Sequence, residues 1–231
     1  MAKIKHWMVT GASRGIGLEM VTQLLRTREK VTAIARNLTT NETLHELKRD
    51  FPTQLHLIQA DVTVDTDINA VAAALEGQIV DVLINNAGIL RESEASLRDL
   101  DLQLLNEQFL VNAVAPLRVT RALLPMLMKA EQPIVANISS KMGSIADAST
   151  KAYGYRMSKV ALNMFTRCLA AELPSGIVLS LHPGWVKTEM GGSEALVEIP
   201  ESASGLLNVI RTSRPERSGW FFDYRGNEIP W

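Results

Sequence analysis

The chain of 231 residues has one cysteine, Cys168, and four histidines. One thiol makes no intrachain disulfide and no cysteine-based zinc cluster, and His6, His45 and His56 show no ligand-like spacing. Charge of one sign is also missing: 24 Lys+Arg stand against 25 Asp+Glu, a formal net charge of -1. That balance gives no electrostatic reason to expect nucleic acid or an anionic membrane as partner. No uninterrupted apolar run reaches the ~18 residues of a membrane span. The first residues, MAKIKHWMVTG, lack the apolar core of a signal peptide, so a soluble cytoplasmic protein is expected. Internal repeats and low-complexity tracts are absent as well, and no shift in composition marks a second domain.

What is present suits one globular unit. Hydrophobic residues make up 46% and charged residues 21%, which excludes wholesale disorder. A chain this long buries roughly 70% of its extended surface and needs no disulfide or metal to hold together. Short apolar runs at 6–9, 31–35, 55–59, 80–84, 133–138 and 177–181 alternate with helical patterns after Gly17, at 68–75, 104–129, 155–172 and 201–211. Phe221 and Phe222 suggest a last strand. This alternation predicts an α/β, doubly wound parallel sheet covered on both faces, a single domain over residues 1–231. The polar stretch at about 189–203, with Gly191, Gly192 and Pro200, is expected to cover a substrate.

The first strand runs into Gly11-Ala12-Ser13-Arg14-Gly15-Ile16-Gly17 and then a helix. Glycines in that context let the backbone approach a diphosphate at a helix N-terminus, where unpaired N–H groups favour negative charge. An acid at the end of the second strand would mark NAD through its ribose hydroxyl. Here Ala35-Arg36-Asn37 occupies that position, and Arg14 comes from the glycine turn. Two guanidiniums pair with a 2′-phosphate, so NADP(H) is expected over NAD(H). Asp61, followed by Val62 at the end of the third strand, suits either the adenine amino group or a helix cap.

Tyr155 and Lys159 lie four apart on one helical face. An ammonium beside a phenol stabilises phenolate and draws the phenol pKa down towards neutrality. Ser140 ends a central strand on the edge where open α/β sheets bind ligands, and its hydroxyl is placed to polarise a carbonyl.

The ordered motifs resemble the short-chain dehydrogenase/reductase family over essentially the whole chain. Thr10–Gly17 matches its TGxxxGxG turn, Asn85-Asn86-Ala87-Gly88 its NNAG motif, Tyr155–Lys159 its YxxxK pair, and Pro183-Gly184 its PG motif. Segments 138–145, 182–192 and 226–231 resemble the sniffer-like and C-factor-like carbonyl reductase branch. The resemblance implies that Tyr155 protonates the carbonyl oxygen, Lys159 holds the nicotinamide ribose and Ser140 orients the substrate. Asn112, in the long helix, matches the fourth member, at a local distortion that admits a water to a proton relay. From the residues alone it is equally a kink satisfied by its own backbone. Val186 and Thr188 match the contacts to the nicotinamide carboxamide, with Asn86 and Gly88 lining the pocket.

The family usually places its serine thirteen residues before the tyrosine, and here the spacing is fifteen. The extra residues fall in a loop, where insertion is cheap, so Ser140 is retained. Met142, Trp185, Met190 and Leu196 are expected at the pocket mouth, whereas His182, just before the Pro-Gly turn, is expected to pack structurally. The implied function is metal-free hydride transfer between NADP(H) and a small carbonyl or alcohol. A signalling or regulatory nucleotide-binding role with little turnover is the alternative. The resemblance also implies a homodimer or homotetramer through helices 104–129 and 155–172.

Overall fold

The computed structural model of the protein describes residues 4–91 and 93–231. The first three residues, read above for a leader, and Glu92 lie outside the described residues. Seven parallel strands form one sheet: β1 (His6–Thr10), β2 (Lys30–Ala35), β3 (Leu55–Gln59), β4 (Val82–Asn85), β5 (Ile134–Ile138), β6 (Ile177–His182) and β7 (Trp220–Asp223). Their spatial order is β3-β2-β1-β4-β5-β6-β7. The chain therefore winds outward in two directions from the β1–β4 seam, and a ligand crevice opens at the carboxyl ends of those strands.

Burial on both faces explains why the strands read as solid apolar runs rather than alternating ones. Trp7 and Val9 of β1 point to one face with Met20 and Leu24 of α1 (Gly15–Arg26) and Leu206 and Ile210 of α7 (Ile199–Thr212). Met8 points to the other, with Ile68 of α3 (Asp65–Ala74), Val119 and Leu123 of α5 (Ala115–Leu127) and Leu169 of α6 (Tyr153–Glu172). Both layers expected from the sequence are present.

Three elements differ from the sequence reading. Helix α2 (Glu42–Asp50) had no expectation, because it is short and mostly polar and Leu44 is its one fully buried residue. The helix expected at 104–129 starts earlier and is divided into α4 (Leu102–Phe109), a π-helical turn at Leu110–Val114, and α5. Pro116 explains the interruption: it has no N–H for the carbonyl of Asn112, and its ring crowds that carbonyl. The ladder shifts instead, and Ala115 N–H bonds Leu110 C=O, five residues back. Lastly, α7 begins at Ile199, so residues 199–203 of the expected covering segment are helical.

The composite run Leu102–Leu127 is long and apolar enough to cross a membrane by length and composition. Its α5 part lays Ala115, Val119, Leu123 and Leu127 into the core against the sheet.

Candidate active site

The glycine turn is shaped by close backbone approach. Gly11 and Gly15 have φ of 66° and 56°, the left-handed region that disfavours side chains. A Cβ on Gly17 would lie 2.3 Å from Gly11 O, so that position admits glycine alone without rearrangement. The NNAG segment holds the turn. Asn86 Nδ2 donates to Thr10 O (2.9 Å) and Gly11 O (3.1 Å), and Thr10 Oγ1 accepts the N–H groups of Asn86 and Ala87. The Asn86 amide is thus committed to the turn rather than aimed into the crevice. Asn41, which caps α2 by accepting Leu44 N–H, also donates to Ser13 O at 2.8 Å. Nothing in local sequence pattern signals that second bond.

The N-terminus of α1 has Arg14 at its cap position with no side-chain cap, and its first turn, with Ile16, contains no acidic residue. That helix end keeps its positive pole for an anion. Arg36 stands exposed just beyond β2, and its charge helps hold the Asp61 carboxyl below its usual pKa. Asp61 Oδ1 accepts both the N–H (2.8 Å) and the hydroxyl (2.6 Å) of Thr63, an Asx turn. Hence Asp61 does not cap α3; Val64 holds that position, and Val62 is buried between them.

Beyond the turn, the four residues expected to react come together. Ser140 lies two residues beyond β5, at the cap of a short 3-10 turn; its hydroxyl accepts Met142 N–H at 3.2 Å and lies near enough to the Tyr155 phenol to pull its pKa down. The longer loop before α6 therefore does not displace the serine. It ends in Lys151 and Ala152, both left-handed (φ 67° and 50°), a costly entry that turns the chain into α6. Gly143 lets the serine-bearing turn lie on α6, since a Cβ there would sit 2.8 Å from Lys159 Cβ. Ser139, expected on the opposite side of the strand, also meets α6, with its hydroxyl 3.5 Å from Lys159 O.

Lys159 Nζ donates to Ile138 O at 2.8 Å and lies 5.6 Å from the Tyr155 ring centre. Burial lowers the Lys159 pKa to about 7 and raises the Tyr155 pKa to about 12, with Ser140 pulling the phenol down. The sequence expectation that Lys159 lowers the phenol is corrected here: in this dry setting desolvation of the phenolate outweighs other influences. An ammonium with a pKa near 7 is also only partly charged at neutral pH.

Asn112 is fully buried in the π-helical turn. Its side chain bonds across the structure, not to its own backbone. Oδ1 accepts Ile89 N–H (2.9 Å), while Nδ2 reaches Ile89 O (2.9 Å) and Ser158 Oγ (3.0 Å). Ser158 in turn donates to Tyr155 O at 2.8 Å, linking the segment after β4, the π turn and α6. Ser158 was not singled out from sequence, although it lies within the Tyr155–Lys159 motif. Gly88 faces this cluster: a Cβ there would be 3.2 Å from Asn112 Oδ1 and 3.5 Å from Lys159 Nζ. The missing side chain leaves a cradle between those two polar groups.

After β6, Pro183 O accepts the Ser202 hydroxyl (2.6 Å) and Gly184 turns at φ 86°. Val186 bridges Val197, and Thr188 Oγ1 accepts Gly191 N–H (3.1 Å). The segment 185–198 is an internally bonded loop, and it places the Thr188 methyl against Gly15. Trp185, Met190 and Leu196 are exposed along it. Met142 instead helps line an apolar groove of about 370 Å³ with Phe109, Ile145, Met157, Val160 and Met164, on the outer side of α4 and α6. His182 is half-buried near Asp223 and Lys141, and desolvation lowers its pKa to about 4, so it is neutral at neutral pH.

Comparison with known proteins agrees with this arrangement. A family model described as short chain dehydrogenase matches residues 5–197. The C-signal protein of Myxococcus xanthus is 49% identical over 155 residues, covering 66% of this chain and 93% of that protein. The crystal structure of NADPH-bound carbonyl reductase from chicken fatty liver superposes with a TM-score of 0.94 at 35% identity, covering 100% of both chains. The carbonyl reductase Sniffer of D. melanogaster gives 0.93 at 31% identity, over 99% of this chain and 100% of the other. By its parallel sheet, its glycine turn and these matches, the chain belongs to the short-chain dehydrogenase family of oxidoreductases.

Proposed function

We propose that the chain is an NADP(H)-dependent oxidoreductase that interconverts a ketone or aldehyde with its alcohol, Tyr155 serving as the proton donor and acceptor. The observation that carries this reading is that the Tyr155 ring lies 5.6 Å from the Lys159 amine, which borders the Gly88 cradle, with the Ser140 hydroxyl near enough to lower the phenol's pKa. The residues fit a dinucleotide. An uncapped, acid-free helix terminus suits the diphosphate, the cradle between Asn112 and Lys159 suits a ribose, and Arg14 and Arg36 suit a 2′-phosphate. Gly11, Ser13, Gly15, Ile16 and Gly17 would hold the diphosphate, and Asp61 and Val62 would border the adenine. Ala87, Gly88, Pro183, Gly184, Val186 and Thr188 would border the nicotinamide half. Several related solved structures, among them the avian carbonyl reductase and a carbonyl reductase of Pseudomonas aeruginosa, are described as binding NADPH or NADP.

When bound, the cofactor supplies or accepts the hydride. The chain's own groups then have separate tasks. Ser140 and Tyr155 hydroxyls both donate to the substrate oxygen, which fixes its orientation and favours negative charge there. A phenol with a pKa near 12 stays protonated at neutral pH, so it enters carbonyl reduction as a loaded acid. As Tyr155 gives its proton to the substrate oxygen, Lys159, when protonated, stabilises the phenolate left behind from 5.6 Å off the ring centre, and Asn112 fixes the π turn behind it. The loop at 185–198, with α7 up to residue 203, covers the substrate, and Trp185, Met190 and Leu196 suit an apolar body on it.

The apolar groove on α4 and α6 accepts a second copy of the chain, giving a dimer or tetramer through these helices. Oxidation of NADPH by the purified protein across a panel of small ketones and aldehydes tests the proposal. Consumption with at least one carbonyl is expected, and NADPH binding without turnover on any carbonyl contradicts it. A second reading, a signalling nucleotide-binding protein, has the 49% identity to C-signal in its favour. The latter outcome would support it.

A further inference from the structure

Arg14 and Glu189 form an ion pair across 174 intervening residues, both side chains largely exposed (70% and 74%). Arg14 belongs to the glycine turn that opens α1, and Glu189 directly follows Thr188 on the covering loop. The same two segments touch at a second point, where the Thr188 methyl packs over Gly15. Loop and turn are thus clasped at the place where α1 presents its N–H groups.

The loop has the means to act as one piece. Val186 bridges Val197, Trp185 O accepts the N–H groups of Leu196 and Val197, and Trp185 Nε1 donates to Gly191 O (2.8 Å). A force applied at Glu189 therefore reaches Trp185 and Leu196, the apolar residues on its rim.

We propose that Glu189 is a specificity-determining residue: its carboxylate competes with the cofactor 2′-phosphate for Arg14, so that engaging the 2′-phosphate releases the 185–198 loop from the glycine turn. This rests on the NADP(H) reading given above. A guanidinium exchanges a carboxylate for a dianionic phosphate readily, because the phosphate offers more charge and further acceptors in the same planar geometry. Once Arg14 has turned to the 2′-phosphate, Glu189 loses its partner, and the loop loses its tie to the glycine turn and is free to settle over the nicotinamide half. A cofactor lacking the 2′-phosphate leaves the clasp shut. Glu189 lowers the advantage of NADP(H) and makes release of the loop from the glycine turn report which cofactor is present.

The test uses two adenosine fragments that lack the nicotinamide half, 2′,5′-ADP and 5′-AMP, with direct titration and amide hydrogen exchange as readouts. In the wild type, 2′,5′-ADP binds tighter than 5′-AMP and speeds exchange in 185–198, whereas 5′-AMP does not. Glu189→Gln is expected to tighten 2′,5′-ADP about two- to fivefold, the range of an exposed ion pair. Its loop should exchange fast before any ligand is added. In an Arg14→Gln background the Glu189→Gln change should have no effect on 2′,5′-ADP affinity. Equal wild-type affinity for the two fragments would overturn the NADP(H) reading, and the clasp with it. A clear wild-type preference left unaltered by Glu189→Gln, with unchanged loop exchange, would overturn the clasp alone.

Discussion

At the scale of single residues, the site depends on charged and polar groups held in dry surroundings. Lys159 is buried, and its pKa falls from 10.5 to about 7. Between those values the unfolded chain binds a proton that the native one does not, so stability rises with pH from about 7 upward. At about 1.4 kcal/mol for each tenfold in the protonation equilibrium, the destabilisation below pH 7 reaches at most about 5 kcal/mol. Lys159→Met, which keeps the stem and removes the charge, is expected to be more stable than wild type at pH 6.5. It should also flatten the pH dependence between 7 and 9.5. Urea unfolding across that range checks both. Arg36 lies exposed beyond β2, so replacing it perturbs binding without disturbing the core. Arg36→Asp removes one phosphate partner and adds a like charge, and should weaken NADPH about tenfold or more while changing NADH less than about threefold. Fluorescence titration of the two cofactors measures the ratio.

At the scale of elements, the unusual feature is how often one helix aims another segment. The π-helical turn at Leu110–Val114 directs Asn112 onto Ile89 and Ser158, and α2 braces the glycine turn through Asn41. Asn41→Asp preserves the helix cap but replaces the donor to Ser13 O with a second acceptor. Helix stability should change by less than about 0.5 kcal/mol, whereas NADPH affinity should fall several-fold; thermal unfolding and titration together separate the two. These braces were also the least legible parts of the sequence. Strands β1, β2, β4, β5 and β6 could be read because burial on both faces leaves near-unbroken apolar runs, whereas the edge strand β3 is only partly buried. Helix α2 could not, because Leu44 alone is fully buried on it. Pro116 was a readable signal for a break in the hydrogen-bond ladder, since a proline inside a helix leaves the carbonyl four residues back without its donor, but not for its form: Pro125 sits inside α5 with no π turn. The partners of Asn112 were unreadable, because Ile89 and Ser158 are 23 and 46 residues away. The depressed Lys159 pKa was missed for a related reason: residue spacing shows which charges are neighbours, but not how little water surrounds them.

At the scale of the whole molecule, the crevice at the β1–β4 seam and the outer groove of α4 and α6 face different demands. The crevice admits polar and anionic groups at an uncapped helix end, while the groove presents Met157, Val160 and Met164 to solvent. Paired Met157→Glu and Met164→Glu changes on the groove are expected to shift the protein to monomers in light scattering, with the glycine turn and its affinity for NADPH unaffected. The central claim joins these scales: a buried phenol, aimed by Ser140 and backed by Lys159, delivers the proton in carbonyl reduction. Steady-state NADPH oxidation by Tyr155→Phe, compared with wild type on the best carbonyl of a panel, addresses it most directly. The expected result is a fall in kcat of about 10²–10⁴-fold with NADPH affinity within about twofold of wild type, and a kcat within twofold would contradict it.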